Sequence, residues 1–500
     1  MRGVLAVRRG GLARSVILVA AAFASLAVVA ALGQLASALL ILLVTAPESP
    51  GVDGLAVLVI GLLSLAVGLA AGVAAARSML TRTQLLLLGL ALLLAVRLSA
   101  VLLIQAPIAP DGASYEKTAV RVMGEGFFFW YRPTGYPFLL ATTYQLLGRG
   151  TLSHELLNVA FAMAGGWLLF DLAGKTAGRQ AAMVALVAYA IAPGLVLLTP
   201  VRLTDTIYAT LVLAICWTGN RMLQGGVLWG VIAGLVIAAS QYVRPTGPLL
   251  LAAMLVASFA LAATVRRWAL PAAAMTLAFV IAMLPAFAYN FGTYGDLSPS
   301  TSSYGGWSLY VGTNQASNGD WNQADADFIH ALPGDLWDQS GQAGRLGLQR
   351  IASDPLGFAG LAVRKFAILW GKESFAVQYG MDFRLVGGPQ GVEAGVWLLA
   401  QLAWLAVITA AAGALLAIRN RARPDPVVVI AACIILAEAL LHLFVEVKPR
   451  YRAHLEPLVV LIAASAVAHW VELGSIRRVM ATILRAPAMP ARTMQEENPV

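Results

Sequence analysis

The chain has 500 residues, 59% of them hydrophobic and only 12% charged, with a formal net charge of +9. A soluble globular domain carries about 25% charged residues. Half that value, spread over repeated apolar runs, excludes a soluble enzyme and predicts an all-α polytopic membrane protein. The positive balance does not indicate nucleic acid, because the basic residues sit mainly at the ends of apolar runs.

The chain opens on MRGVLAVRRGGLAR and then runs apolar from Ser15 to about 46. That run is far longer than a signal-peptide core of about 7–15 residues, so it reads as an uncleaved first span reached from a basic cytoplasmic tail. Roughly twelve spans are predicted, at 15–45, 54–76, 84–106, 153–173, 179–199, 205–222, 226–243, 247–264, 268–289, 394–418, 426–447 and 455–472. The stretch 135–147 is too short to span and predicts an interfacial helix. Several short loops are basic: Arg77 and Arg82, Lys175 and Arg179, Arg221, Arg266 and Arg267, Arg419 with Arg421 and Arg423, and Arg477 and Arg478. Assigning these to the cytoplasm puts both termini inside and the polar stretches on the outer face of the plasma membrane.

The expected organisation has five parts: two N-terminal helices in 1–83, a core in 84–289 with a first external loop at 107–150, an external loop region at 290–393, C-terminal spans in 394–472, and a cytoplasmic tail at 473–500. The external region is expected to be mostly irregular, with an amphipathic helix at 355–370 lying on the membrane surface. It is too small for a separate catalytic domain of usual size. The last residues, 486–500, predict no fixed structure.

Ionisable groups at a membrane boundary are expensive and therefore functional candidates. Asp111 stands just past the end of the third span. It is expected to be a catalytic base, with the cap of a following helix as the competing reading. Arg132 follows the aromatic run 127–131, which marks either a donor contact or only the interface. Arg202 and Asp205 flank a helix start, where capping and the dipole compete with a role in orienting a catalytic cation. Arg244 and the cluster Lys448, Arg450 and Arg452 run against the depletion of cations on the outer face. They call for an anion, most simply a phosphate, against snorkelling and pairing with Glu438 or Glu446. In the external region Trp307, Tyr310 and Trp321 are candidates to stack on sugars, and Asn314 and Asn318 to bond hydroxyls; ordinary loops share that composition. Cys216 and Cys433 fall inside apolar runs as small core residues. The five histidines show no metal-ligand spacing, and no glycine loop for a nucleotide is present. No cofactor is expected, with a divalent metal ion left as an open alternative.

These residues carry a resemblance. An Asp after a helix (111) is followed by an aromatic–Arg-Pro-x-Gly-Tyr-Pro run (131–137) and by Arg-Leu-Thr-Asp (202–205). Arg-Pro-Thr (244–246), Asn-x-x-x-x-Gly (290–295) and a late Arg-Tyr-Arg (450–452) complete the order. Over about 84–472 the chain resembles the GT-C membrane glycosyltransferases, in particular the polyprenyl-phosphate-sugar-dependent group of protein O-mannosyltransferases and lipid A aminoarabinose transferases. It departs from them in its two extra N-terminal helices. It also has Gly112 where many relatives follow the loop Asp with Glu, with Glu116 as a possible substitute.

The resemblance implies transfer of a sugar from a polyprenyl-phosphate donor to a lipid, glycan or protein hydroxyl on the outer face, by single displacement with inversion. Asp111 is then the base, and Arg132, Arg244, Lys448, Arg450 and Arg452 bind the donor phosphate. Glu116, Tyr136, Arg202 and Asp205 support them, while Trp307, Tyr310 and Asn314 contact sugar or acceptor. The alternatives are a transporter or flippase of a lipid-linked anion and a surface-polysaccharide polymerase or ligase. Against transport stand the absence of an inverted hydropathy repeat and the few charges within spans.

Overall fold

A computed structural model describes residues 2–45, 52–104, 106, 109–126, 132–261, 265–295, 298, 300–373, 390–421 and 424–472. The aromatic run 127–131, the stretch 374–389 of the external region and the tail 473–500 lie outside the described residues. Helices account for the regular structure, and no β-strand forms among the described residues.

The first three helices are α1 (Arg2–Thr45), α2 (Val52–Arg77) and α3 (Arg82–Leu103). A capping box starts α3: the Thr81 side chain accepts from the Gln84 backbone N–H, and the Gln84 side chain returns a bond to the Thr81 backbone. Two short helices follow, α4 (Pro110–Glu125) and α5 (Gly135–Leu147). The bounds of α5 are those expected for the interfacial helix. By contrast, α4 lies in what is expected as a loop, where a helix start enters only through the competing reading of Asp111 as a cap. Pro110 opens it at the first helical position, where its missing N–H costs nothing.

The spans predicted at 153–173 and 179–199 lie in one run, α6 (Thr151–Ile191), broken at Ala177 and Gly178. Gly178 has φ +79°, so the chain turns there without a Cβ penalty. The second span is shorter than predicted, because the chain leaves the helix at Ala192 and re-enters as α7 (Pro193–Leu197). Next come α8 (Asp205–Gly225), α9 (Val227–Val243), α10 (Gly247–Leu261) and α11 (Val265–Tyr294). Among the described residues seven helices are long and apolar enough to cross a membrane, and α9 and α10 are apolar but shorter. The chain is therefore multi-pass, but length and composition do not reach the figure of twelve.

The external region differs most from expectation. Among its described residues it carries four helices, α12 (Tyr304–Gly312), α13 (Gln323–His330), α14 (Leu336–Ser353) and α15 (Pro355–Gly371). Side-chain caps start the last three: Asn322 accepts from Asp325 N–H, Asp335 from Trp337 and Asp338 N–H, and Asp354 from Gly357 N–H. The first three, α12 to α14, share a small core of Trp307, Tyr310, Val311, Ile329 and Ala343.

The chain closes with α16 (Gln390–Ile418), α17 (Pro426–Phe444), a 3₁₀ turn η1 (Pro449–Leu455) and α18 (Glu456–Glu472). Apolar on every side, α17 lies in the main core beside the buried Leu458–Ile462 segment of α18. The two N-terminal helices are integrated into the bundle: α1 packs on α16, α15 and α10, and α2 on α16 and α6. Cys216 and Cys433 are buried and unlinked.

Candidate active site

Four segments distant in sequence meet at one end of the bundle. Asp111 sits in the first turn of α4, after Pro110, so the N-cap position belongs to Ala109 and not to Asp111. Its Oδ1 accepts from Arg132 Nη2 at 2.8 Å, and its Oδ2 accepts from Arg450 Nη2. Arg132 precedes α5, and Arg450 stands on η1. The Arg132 guanidinium lies 5.7 Å from the rings of both Tyr115 and Tyr304. That of Arg450 lies 5.6 Å from the ring of Tyr451. Burial alone would raise the Asp111 carboxyl, but the charges of Arg450 and Arg132 outweigh it and hold the group well below the usual carboxylate range. Lys448 acts on Asp111 in the same direction. The carboxylate remains partly open, with 21% of its side chain exposed.

Behind this pair lies a second acid. Glu446 follows the end of α17 at Phe444 and is buried. Its Oε2 accepts from Tyr304 Oη at 2.5 Å and its Oε1 from Tyr451 Oη at 3.1 Å. Its backbone N–H donates to Ser308 O at 2.8 Å. The approach is close because Gly312 has no side chain: a Cβ there would lie 2.3 Å from the carbonyl carbon of Val445. Lys365, on α15, donates from Nζ to Gly312 O at 2.8 Å and Leu443 O at 2.9 Å, tying α12, α15 and α17 together. On the other flank, a Cβ at Gly135 would lie 2.4 Å from Tyr242 O, so only glycine lets the start of α5 rest on the end of α9. That contact sits three residues after Arg132.

The remaining expected residues divide. Arg244 is adjacent: its Nη2 donates to Asp205 Oδ1 at 2.6 Å, its Nε to Thr204 Oγ1 at 3.1 Å, and it lies near enough to Arg450 to feel its charge. Asp205 thus orients a cation beside the cluster. Tyr136 is fully buried, with its ring edge-on to Tyr115 at 5.1 Å. Glu116 does not join Asp111. It accepts from Arg149 Nε at 3.0 Å and from Arg202. Arg202 is thereby engaged away from the pair, and also donates to His154 Nδ1 at 3.5 Å.

Arg452 points elsewhere. It is fully buried, pairs with Glu373 and with Glu456 at 3.6 Å, and its guanidinium lies 3.9 Å from the ring of Trp404. Lys448 reaches Asp320 at 3.8 Å and lies 5.9 Å from the exposed ring of Trp321. Trp307 and Tyr310 form the small external core, and Asn314 Nδ2 donates to Asp325 Oδ2 at 2.8 Å. These three side chains hold the external helices together. Tyr115, Tyr304, Tyr451 and Glu446 were not singled out from the sequence as site residues. The available signal was the Glu446-Val-Lys-Pro-Arg-Tyr-Arg run, an acid directly ahead of a cation cluster. Among the described residues no group of three or more His, Cys, Asp or Glu is placed to hold a metal ion.

The segment containing Arg132, Tyr136, Arg202, Asp205 and Arg244 is where a family comparison bears. Residues 131–289 match the family model of dolichyl-phosphate-mannose-protein mannosyltransferase. The resemblance to GT-C glycosyltransferases is borne out over this segment. No curated protein matches the chain. Among solved structures, the apo oligosaccharyltransferase of Archaeoglobus fulgidus is similar at 13% identity and TM-score 0.49, over 81% of this chain and 52% of that one. The chain thus spans about half the length of that relative. The archaeal enzyme in complex with an inhibitory peptide and a dolichol-phosphate is similar at 15% identity and TM-score 0.47, over 80% and 52%. ArnT from Cupriavidus metallidurans bound to undecaprenyl phosphate is similar at 16% identity and TM-score 0.36, over 81% of each chain.

Proposed function

We propose that this chain is an integral membrane glycosyltransferase. It moves a sugar from a polyprenyl-phosphate donor to a hydroxyl of a lipid, glycan or protein acceptor on the outer face of the plasma membrane. The observation that carries the reading is the convergence of Arg132 and Arg450 on the single, partly open carboxylate of Asp111, with Lys448 and Arg244 at hand. A pair of guanidiniums spaced around one carboxylate suits a phosphate in its place, because both anions offer oxygens in the fork geometry that arginine matches. The family match over 131–289, to enzymes named for a lipid-phosphate mannose donor, supports the donor class.

In this reading the donor phosphate displaces Asp111 from the two arginines. The acceptor oxygen attacks C1 of the sugar from the face opposite the phosphate, and the configuration inverts, as in direct displacement by inverting glycosidases. Negative charge grows on the bridging oxygen as the bond breaks. Arg132 and Arg450 are aimed where that charge develops, which is how fixed cations lower a barrier. Asp111, released from the guanidiniums, turns to the acceptor hydroxyl and orients it for attack. No organic cofactor enters this scheme, and a metal ion is not required by it.

Charge supports the outer face. Ser78, Arg82, Lys175 and Arg179 meet at the other end of α3 and α6, where Arg82 pairs with Asp171 at 2.8 Å and Arg179 Nη2 donates to Leu80 O at 2.5 Å. Basic short loops favour the cytoplasm.

Two experiments test the reading. Purified protein in nanodiscs should bind undecaprenyl phosphate, and a deletion strain should lose one class of envelope glycan by mass spectrometry. A protein that moves the lipid between compartments but transfers no sugar would be a transporter instead. For the side, Gln349→Cys should be labelled from outside intact cells and Ser78→Cys should not. The native cysteines are buried and give little background. The reverse pattern would refute the outer-face assignment.

A further inference from the structure

Asp111, Arg132, Tyr304, Glu446, Tyr451 and Arg450 close a ring of contacts in which each member touches the next. The ring holds two carboxylates in opposite environments. Asp111 gives both oxygens to guanidiniums, and once the donor phosphate takes those it is left to orient the acceptor hydroxyl. Glu446 gives both oxygens to phenol hydroxyls, at 2.5 and 3.1 Å, with its side chain away from solvent. We infer that Glu446, reached through the hydroxyl of Tyr304, is the group that takes the proton from the attacking acceptor hydroxyl. This rests on the glycosyl-transfer reading, and it departs from the sequence expectation that Asp111 is the base.

Three observations support the assignment. The half-buried Tyr304 ring lies beside Arg132, so this residue bridges the partly exposed Asp111–Arg132 pair and the buried acid. Burial, reinforced by the charge of Asp111, pushes the Glu446 carboxyl above its ordinary value, against hydrogen bonds from Tyr304 and Tyr451 and the charge of Lys448. Where neighbouring acids are driven apart in this way, the higher one handles the proton. The other charged group facing Glu446 is Lys365, whose ammonium burial pushes down to about 7.

The third observation is the balance of the reaction itself. The acceptor oxygen bonds to C1, and the C1–oxygen bond to phosphate breaks with its electron pair staying on the phosphate. The hydroxyl proton passes to Tyr304 Oη while Tyr304 passes its own to Glu446 Oε2. The phosphate gains one negative charge and Glu446 loses one, so the site's total charge is unchanged. Without such an acceptor, the cluster would have to hold a doubly charged phosphate beside two ionised acids.

The lipid product alone tests this. Undecaprenyl phosphate added at pH 8 is doubly charged, since the second ionisation of a phosphate monoester lies near about 6. Its binding should draw a proton onto Glu446 by linkage. Calorimetry of the nanodisc protein in buffers of different ionisation enthalpy counts that proton. Wild type should take it up. Glu446→Gln should bind as tightly or tighter with the uptake lost, and Asp111→Asn should keep the uptake. Uptake that persists in Glu446→Gln, that vanishes in Asp111→Asn, or that wild type never shows would overturn the assignment. If Glu446→Gln does not fold, the Asp111→Asn arm still decides. Failure of wild type to bind the lipid at all would instead remove the glycosyl-transfer reading, so the two failures are distinguishable.

Discussion

Arg450 and Arg452 stand two residues apart on one turn, and they live in different worlds. Arg450 pairs with the partly open carboxylate of Asp111, beside the ring of Tyr451. Arg452 is sealed against Trp404 between Glu373 and Glu456, with carbonyls of Leu369 and Lys372 completing its bonds at 3.2 and 3.3 Å. A 3₁₀ turn has about three residues per turn, so neighbours at i and i+2 point to different sides. A run of cations in a sequence is therefore not a site. One member can hold an anion while the other locks η1 onto the bundle behind it.

The sharpest test of that contrast removes each arginine in turn. Arg452→Ala leaves Glu373 and Glu456 buried without their cation, which should cost about 3–5 kcal/mol of stability. Thermal unfolding in detergent should show a large drop, while protein that remains folded binds undecaprenyl phosphate normally. Weakened binding in stable protein would break the comparison. Arg450→Ala should do the opposite, reducing affinity for the lipid phosphate about ten- to a hundredfold, the scale of a charge-assisted hydrogen bond, with little change in unfolding temperature. Arg450→Lys should restore only part, because a point charge does not reproduce a two-pronged contact.

Asp111→Asn separates binding from turnover on the open side. Removing the anion that competes for both arginines should raise phosphate affinity several-fold. Transfer should fall about a hundredfold, the usual cost of losing reactant orientation. Equal loss of both would mean that Asp111 only holds the site together. Its carboxyl is held below the usual range, so its pairing stabilises the fold above the unfolded value of about 3.9 and is lost as pH falls further. Phosphate binding should then show no Asp111-dependent change between about pH 5 and 8, measured as the difference between wild type and Asp111→Asn. The smallest effect belongs to the external core. Asn314→Ala should cost about 1 kcal/mol through its lost bond to Asp325, with lipid affinity unchanged.

How much of this was legible in the sequence depends on the range of the forces involved. Apolar runs declare spans locally, and the interfacial helix 135–147 was bounded by its glycine and by its shortness. The external helix at 355–371 was legible as an amphipathic stretch; α13 and α14 were marked by Asn322 and Asp335 at cap positions, but Gly- and Ser-rich surroundings concealed them, and α12 has no side-chain cap to declare it. The individual residues of the site were visible as misplaced charges. Their pairing was not, since Asp111 and Arg450 are 339 positions apart and only packing decides which cations converge. Glu116 looked the natural companion of Asp111 by proximity, yet α4 turns it toward Arg149 and Arg202. The acid that does lie behind Asp111 enters from the far end of the chain.

Gly312 and Lys365 fasten the external helices to the backbone just ahead of Glu446, and Tyr304 hands its hydroxyl to that acid from the same helix that ends at Gly312. The external helices and the C-terminal segment of the site are consequently one inheritable unit. Exchanging residues 300–373 with those of a related enzyme, as one would swap a loop to change acceptor preference, separates Tyr304 and Gly312 from the partners they were shaped against. Such a chimera should recover function only when 443–451 travels with the graft, so acceptor preference in this architecture cannot drift independently of the catalytic floor beneath it.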